Sequence, residues 1–196
     1  NTVSTPMKVK ALSNIKSVCC GTTASGALTS DGKVWVWGGG TATGKELPEP
    51  VCFSTITEKV ETLHFGATHF FAHTSSGKLL SWGSNTFGEL GRDAKVSNSQ
   101  YTPGAVPEMK GLEKVATVAC GRNYTALVSD GKLWVCGKGS KGVLGTGSTS
   151  NQSSFMALEV KDKLVSVACG STHTLAFSAD GALYGCGSKD HGRLGF

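Results

Sequence analysis

Four segments of this chain repeat one another in register, and nothing else in the sequence restricts its fold as tightly. Each segment carries a marker glycine after a small or apolar residue (Gly21, Gly66, Gly121, Gly170), then a turn glycine after Asp or Ser (Gly32, Gly77, Gly131, Gly181). A third glycine closes the next apolar run (Gly38, Gly83, Gly137, Gly187). The turn glycines are 45, 54 and 50 residues apart, and the closing glycines keep the same three spacings. Two landmarks in one register, with the length variation confined to the stretches between units, identify a tandem array of structural repeats. Three of the units end in Gly-x-Leu-Gly, at Gly88–Gly91, Gly142–Gly145 and Gly192–Gly195.

Each unit has the local chemistry of a hairpin. Three Asp-Gly pairs and one Ser-Gly sit between apolar runs, where Gly supplies the positive φ of a tight turn at little cost. In the third unit this predicts strands over Tyr124 to Ser129 and Lys132 to Cys136, preceded by a strand over Lys114 to Cys120. With 27 glycines against 5 prolines and only 17% charged residues, the chain reads as many short strands joined by turns. Runs rich in Val, Leu, Trp and Tyr fit sheets buried on both faces. One such sheet cannot bury itself, so neighbours must stack, and radial stacking of small sheets is a β-propeller.

The unit resembles the repeat of the regulator of chromosome condensation family (RCC1-like repeats). Gly170 to Thr174 reads Gly-Ser-Thr-His-Thr, and the Trp82-Gly83 pair runs on to Gly88-Glu89-Leu90-Gly91, as that family's unit does. The resemblance covers nearly the whole chain and implies an all-β fold, a propeller of RCC1-like repeats with four units here, part of a seven-bladed ring of four-stranded blades. The units fall at about 6–44, 45–91, 92–145 and 146–195. The first is degenerate: Gly38-Gly39-Gly40 runs to Gly44 without a Gly-x-Leu-Gly close, and Ala24 stands where His69 and His173 sit. Four units are fewer than seven, and both ends fall near linkers, so the sequence reads as a piece of a longer protein.

Most residues that invite a chemical role are absorbed by the repeat. His69 and His173 recur three residues after the marker glycine, and Tyr124 takes the same position in the third unit. A metal or catalytic role would need partners converging in space, whereas repeat positions are spread one per blade; a structural hydrogen bond is expected. Cys20, Cys120 and Cys169 share a position with Phe65, and Cys136 and Cys186 replace Trp37 and Trp82, the pattern of a buried apolar slot. Cys19 and Cys52 fall outside it. Seven cysteines without a C-x-x-C pair fit neither a closed disulfide framework nor a zinc site. The glycine-rich Gly137 to Gly142 lacks the Gly-x-x-x-x-Gly-Lys-Ser/Thr pattern of a phosphate loop and reads as a blade-end loop. No catalytic constellation stands out, and no cofactor or metal is expected. Trp35, Trp37, Trp82 and Trp134 occupy repeat positions rather than the clustered face a photoreceptor would need.

Charge is uneven. Between Lys114 and Gly145, five basic residues (Lys114, Arg122, Lys132, Lys138, Lys141) meet one acid, Asp130, so the third unit carries most of the net charge of +5. Such a patch on a rigid frame fits an acidic protein or chromatin surface; with no aromatic residues interleaved in the basic loop, direct nucleic-acid binding is not expected. No apolar run approaches the ~18 residues of a membrane helix, and no membrane partner is expected; the absence of a signal-peptide core at Asn1 to Lys10 and the cysteine usage point to an intracellular protein, cytoplasmic or nuclear. The expected function is a protein-interaction scaffold, not an enzyme, whose loops after the closing glycines bind a partner protein through Asn85, Phe87, Lys138, Lys141, Lys189, Asp190 and His191. The alternative implied by the family resemblance is guanine-nucleotide exchange on a Ran-like small GTPase with chromatin association. The wedge that such exchange requires would be sought first in the long linker from Arg92 to Lys114.

Overall fold

In a computed structural model, described for residues 2–92, 101–108, 112 and 114–196, the chain forms four antiparallel sheets. The first contains β1 (Ile15–Cys20), β2 (Ala24–Thr29), β3 (Val34–Gly38) and β4 (Leu47–Cys52), with a single helical turn α1 (Gly40–Thr43) between β3 and β4. The second contains β5 (Val60–Phe65), β6 (His69–Thr74), β7 (Leu79–Gly83) and a short β8 (Gly104–Ala105). The third contains β9 (Val115–Cys120), β10 (Tyr124–Ser129), β11 (Lys132–Gly137) and β12 (Gln152–Leu158). The fourth contains β13 (Leu164–Cys169), β14 (His173–Ser178) and β15 (Leu183–Gly187). Strand order follows chain order in all four. The fourth strand of each full sheet comes from the residues after the Gly-x-Leu-Gly position, so sequence units and sheets are out of phase by one strand.

The turn residues act as the hairpin reading requires, in two forms. Three hairpins use a three-residue connection in which only the glycine has positive φ (Gly32 86°, Gly77 87°, Gly181 91°). There the glycine N–H returns to the carbonyl three residues back, at 2.9 to 3.0 Å, which is a type I turn with a glycine bulge. The third hairpin is one residue shorter. Ser129 pairs directly with Lys132, and both Asp130 (48°) and Gly131 (80°) take positive φ, the two-residue turn that Asp-Gly suits.

Alternation along the second strand of each blade explains why these strands read as unbroken apolar runs. In β10, Tyr124, Ala126 and Val128 pack toward the fourth sheet, whereas Leu127 packs toward the second. In β6, Phe70 packs toward the first sheet and Phe71 toward the third. Both faces of an inner blade are core, so neither needs polar residues. Three apolar layers result, one at each junction. The first holds Phe70 and Trp82, with their rings stacked 5.2 Å apart. The second holds Phe71, Trp134 and Phe155, and the third Tyr124, Leu144 and Leu164. At the two ends of the array no described residue covers the outward faces: Val18 of β1 is 71% exposed, and Leu183 of β15 is 68% exposed.

Candidate functional site

The site begins with the marker glycine. In every blade its N–H donates to the carbonyl three residues on at 2.8 Å (Gly21 to Ala24, Gly66 to His69, Gly121 to Tyr124, Gly170 to His173), closing the turn between the first two strands. In three blades the ring at that third position lies directly over the glycine. An added Cβ would fall 2.2 Å from the His69 ring at Gly66, 2.0 Å from the Tyr124 ring at Gly121 and 2.2 Å from the His173 ring at Gly170. The closing glycine stands against the same turn. At Gly137, where φ is 103°, a Cβ would meet the Asn123 carbonyl oxygen at 2.6 Å. The residue after it then bonds back to the turn: Gly39 to Thr23, Ser84 to Thr68, Lys138 to Asn123 and Ser188 to Thr172, at 2.7 to 2.9 Å.

These bonds place all four marker turns and all four loops after the closing glycines at one end of the sheets. The hairpin turns lie at the other. The sequence-selected residues therefore share a face, although they do not all present themselves to it. Asn85 is 8% exposed and its amide is spent inside its loop, accepting from the Leu90 N–H at 3.0 Å and donating to the Arg92 carbonyl at 3.2 Å. Glu89, fully buried, accepts from the Phe87 N–H at 2.7 Å and the Ser84 hydroxyl at 2.8 Å, and so holds Phe87 in place. The Lys138 ammonium sits 4.6 Å above the Phe87 ring, joining the second blade's loop to the third's by a cation–π contact. Lys141 and His191 take equivalent positive-φ positions in 3-10 turns at Ser140–Gly142 and Asp190–Gly192, and both are exposed. Lys189 and Asp190 are exposed beside them. The Ser188 hydroxyl, donating at 2.7 Å, holds the Asp190 carboxyl below its ordinary range, and Lys141 and Arg193 add to the effect.

Of the recurring ring residues, His69 and Tyr124 join blades, whereas the expected structural hydrogen bond is not seen at the His173 ring, whose Nδ1 is buried without a partner among the described residues. His69 Nε2 lies 2.9 Å from Thr125 Oγ1, and that hydroxyl donates to the Glu89 carbonyl at 2.8 Å. Thr125 has one proton and it is committed, so the network assigns Nε2–H of His69 as donor. Burial pushes the His69 pKa down to about 4, keeping the ring neutral. One blade on, Tyr124 Oη donates to the His173 carbonyl at 2.6 Å and lies 3.1 Å from Thr174 Oγ1, which donates to the Val143 carbonyl at 2.8 Å. At the first junction both partners are replaced, Ala24 for the ring and Phe70 for the hydroxyl, and aromatic packing with Phe65 and Trp82 fills the space.

The middle carbonyl of Gly-x-Leu-Gly is thus the acceptor that clasps the next blade. Cys136 Sγ reaches the Glu89 carbonyl at 3.5 Å and Cys186 Sγ the Val143 carbonyl at 3.4 Å, so these thiols reinforce the clasp. All seven cysteines are free thiols. Burial drives Cys120 and Cys136 well above the ordinary thiol pKa and Cys169 to about 12, which makes them poor nucleophiles. Among the described residues no group of three His, Cys, Asp or Glu side chains converges to hold a metal ion, and no helix is long and apolar enough to cross a membrane.

Two features of this end were not singled out from sequence. A recess of about 540 Å³ opens where the marker turns converge, lined by Cys20, Gly66, Cys120, Gly121, Arg122 and Gly170 among others. Exposed Arg122, read from sequence only as part of the third unit's charge, stands at its rim. Arg193 is held across the fourth loop, donating to the Asp190 carbonyl and to Thr172 Oγ1, both at 2.6 Å. About half of the Arg92 to Lys114 linker, the expected place of a wedge, lies outside the described residues; within it, β8 pairs with β7.

With this geometry in hand, comparison with known proteins places the fold. Models of the regulator of chromosome condensation (RCC1) repeat match residues 76–128, 130–177 and 164–193. The chain belongs to the RCC1 repeat family. Over 97% of its length this RCC1-repeat chain is 31% identical to the probable E3 ubiquitin-protein ligase HERC4 of Homo sapiens, covering 19% of that protein. Over 66% of its length it is 35% identical to the X-linked retinitis pigmentosa GTPase regulator homolog of Caenorhabditis elegans, covering 9% of it. Its RCC1 repeats superpose on Prp20p of Saccharomyces cerevisiae, studied for its binding to Gsp1p and histones, with a TM-score of 0.73 and 26% identity over 90% of this chain and 44% of that one. Yeast RCC1 (Prp20) bound to Kap60 gives a TM-score of 0.80 at 24% identity, covering 97% and 47% of the two chains. The four sheets are thus four blades of an RCC1-type propeller, and the chain spans less than a fifth of these two relatives and about half of the solved structures.

Proposed function

We propose that these four blades are a protein-interaction module that binds a partner protein through the face bearing the marker turns and the loops after the closing glycines. The observation that carries this reading is that the loop residues after the closing glycines, scattered over a hundred positions, are gathered at one end of the sheets, where Lys138 of the third blade stacks on Phe87 of the second. The rest of each repeat is consumed in making a rigid frame, so what can vary without cost to the fold lies in these loops. Phe87, Lys138, Lys141, Lys189, Asp190 and His191 are the contact residues; Asn85 supports the loop from within. The module performs no bond chemistry of its own, and the cell interior, cytoplasmic or nuclear, is its proposed location.

A photo-crosslinking residue placed at Thr86, Ser140 or Lys189 should capture a partner protein, while the same residue at Ser30, Ser75 or Ala179 on the hairpin end should not. Capture from the hairpin end alone would overturn the reading. The second reading, exchange of guanine nucleotide on a Ran-like GTPase, is supported by the likeness to Prp20p with its binding to Gsp1p. It requires this face to accelerate nucleotide release from such a GTPase, and no acceleration at any module concentration rejects it.

A further inference from the structure

The sequence shows basic residues concentrated in the third unit; the fold divides them between two ends. Lys114 and Lys132 fall at the hairpin end, as does every ion pair between described residues: Lys16–Glu61, Lys33–Asp31, Lys59–Glu61, Lys78–Glu58 and Lys132–Glu159. That end alternates in sign and neutralises itself. The loop-bearing end does not. Arg122, Lys138, Lys141, Lys189 and Arg193 lie there on the third and fourth blades, and none is in an ion pair with a described residue. Among the described residues, the acids at this end of those two blades and the adjoining second-blade loop are Asp190 and the buried Glu89, whose carboxylate is already held by Ser84 and Phe87. On the first blade Lys45 is followed by Glu46, so the positive field rises toward the third and fourth blades.

We propose that this face binds an acidic polypeptide segment of the partner, with Arg122 in the wall of the recess taking a carboxylate and Lys138, Lys141, Lys189 and Arg193, at the same end of the sheets, receiving the rest of the segment. The proposal rests on the interaction-module reading and adds the partner's chemistry. Basic groups outside ion pairs, gathered at the end of the sheets that holds the recess, build a positive field and favour a flexible acidic chain that can dip a side chain to Arg122. Arg122 carries the planar, forked donors that grip a carboxylate in two places. Nucleic acid is disfavoured because a single strand needs free aromatic platforms for its bases, and among the rings near these turns Phe87 is covered by the Lys138 ammonium, Phe65 is packed against Gly26 and Phe70, and Tyr124 is buried.

The test is fluorescence anisotropy of the whole chain with a labelled twelve-residue Glu/Asp-rich peptide, beside a lysine-rich peptide and a single-stranded oligonucleotide of equal charge to the acidic one. The acidic peptide should bind alone or tightest, and its affinity should fall as salt rises, because exposed charges are screened over ~8 Å at physiological ionic strength. The triple variant R122E/K138E/K141E should lose at least about tenfold in affinity, with circular dichroism and Tm unchanged. K16E/K132E/K163E on the hairpin end should lose nothing. Equal losses in the two triple variants, tighter binding of the oligonucleotide, or no binding of the acidic peptide would each overturn the proposal. If loop-end crosslinking to a partner persists in that last case, the interaction module stands and only its acidic ligand is lost; if crosslinking fails as well, the broader reading falls with it.

Discussion

His69 carries the most consequence of any single side chain here, because it is buried, neutral and bonded across a blade junction. His69→Ala removes a ring and leaves Thr125 without its donor, an expected loss of about 2–4 kcal/mol by urea denaturation. His69→Tyr, the residue its third-blade counterpart uses, should be much milder. The pH dependence has a definite sign. The folded pKa is pushed down to about 4 from an ordinary value near 6.5, so the unfolded chain takes up the proton first. The stabilisation is complete above pH 6.5 and is lost as pH falls toward 4, amounting to at most about 3 kcal/mol. Comparing denaturation of the native chain and His69→Tyr across this window should show the excess acid sensitivity only in the former. Glycines give a second contrast at this scale. Gly181→Ala meets open space and should cost about 1–2 kcal/mol of backbone strain, whereas Gly137→Ala adds a clash with the Asn123 carbonyl and should cost about 3 kcal/mol or more in the same measurement.

At the scale of elements, Gly-x-Leu-Gly is a clasp with three separate jobs. The N–H of the last glycine returns to the carbonyl of the first at 3.0 Å in all three copies, both glycines hold positive φ, and the leucine is buried. The residue after the first glycine contributes its carbonyl in the two copies that face a following blade, Glu89 and Val143. Leu144→Ala should therefore destabilise by about 3–5 kcal/mol. Thr125→Val, which strips the hydroxyl from the chain running His69 to Thr125 to the Glu89 carbonyl, should couple to His69→Ala by about 1–2 kcal/mol in a double-mutant cycle. Additive effects of the two changes would mean that the hydrogen bond holds no blade junction together. The first unit reaches the same end by other means: its helical turn α1 closes on Gly44, whose φ is 78° and whose N–H bonds to the Gly40 carbonyl at 2.8 Å.

For the molecule as a whole, the end blades follow the same rules as the inner ones, with none of the described residues covering their outer flanks. In β14, Thr174, Ala176 and Ser178 are buried against the third blade, while Phe177 on the other side is 45% exposed, with Leu183 beside it. On the first blade the counterpart is Val18. Contiguous exposed apolar surface on a β-sheet flank drives association. This 196-residue chain alone is therefore expected to self-associate with rising concentration in sedimentation velocity, and Phe177→Ser with Leu183→Ser should shift it toward monomer without lowering Tm. A concentration-independent monomer would show that these flanks are not adhesive.

The repeat, the hairpins and the structural character of His69, Tyr124 and the blade cysteines could be read from one dimension, because each depends on local turn chemistry or on a pattern recurring at fixed spacing. What local spacing could not show was direction. Asn85 looks like a loop contact in sequence, yet its amide is turned inward to staple Leu90 and Arg92. Arg122 carried a visible signal, since the position after the marker glycine varies from Thr22 to Ala67, Arg122 and Ser171 while the glycine does not; only convergence of the turns makes that variation a rim. The third unit's charge is the clearest case. Its composition is legible residue by residue, but Lys132 and Lys138 are six positions and a full strand length apart, so an antiparallel fold sends them to opposite ends. Sequence by itself therefore determined the blades, through φ preferences and apolar alternation; tertiary structure alone decided which charges share a face, because it sets which strand ends meet.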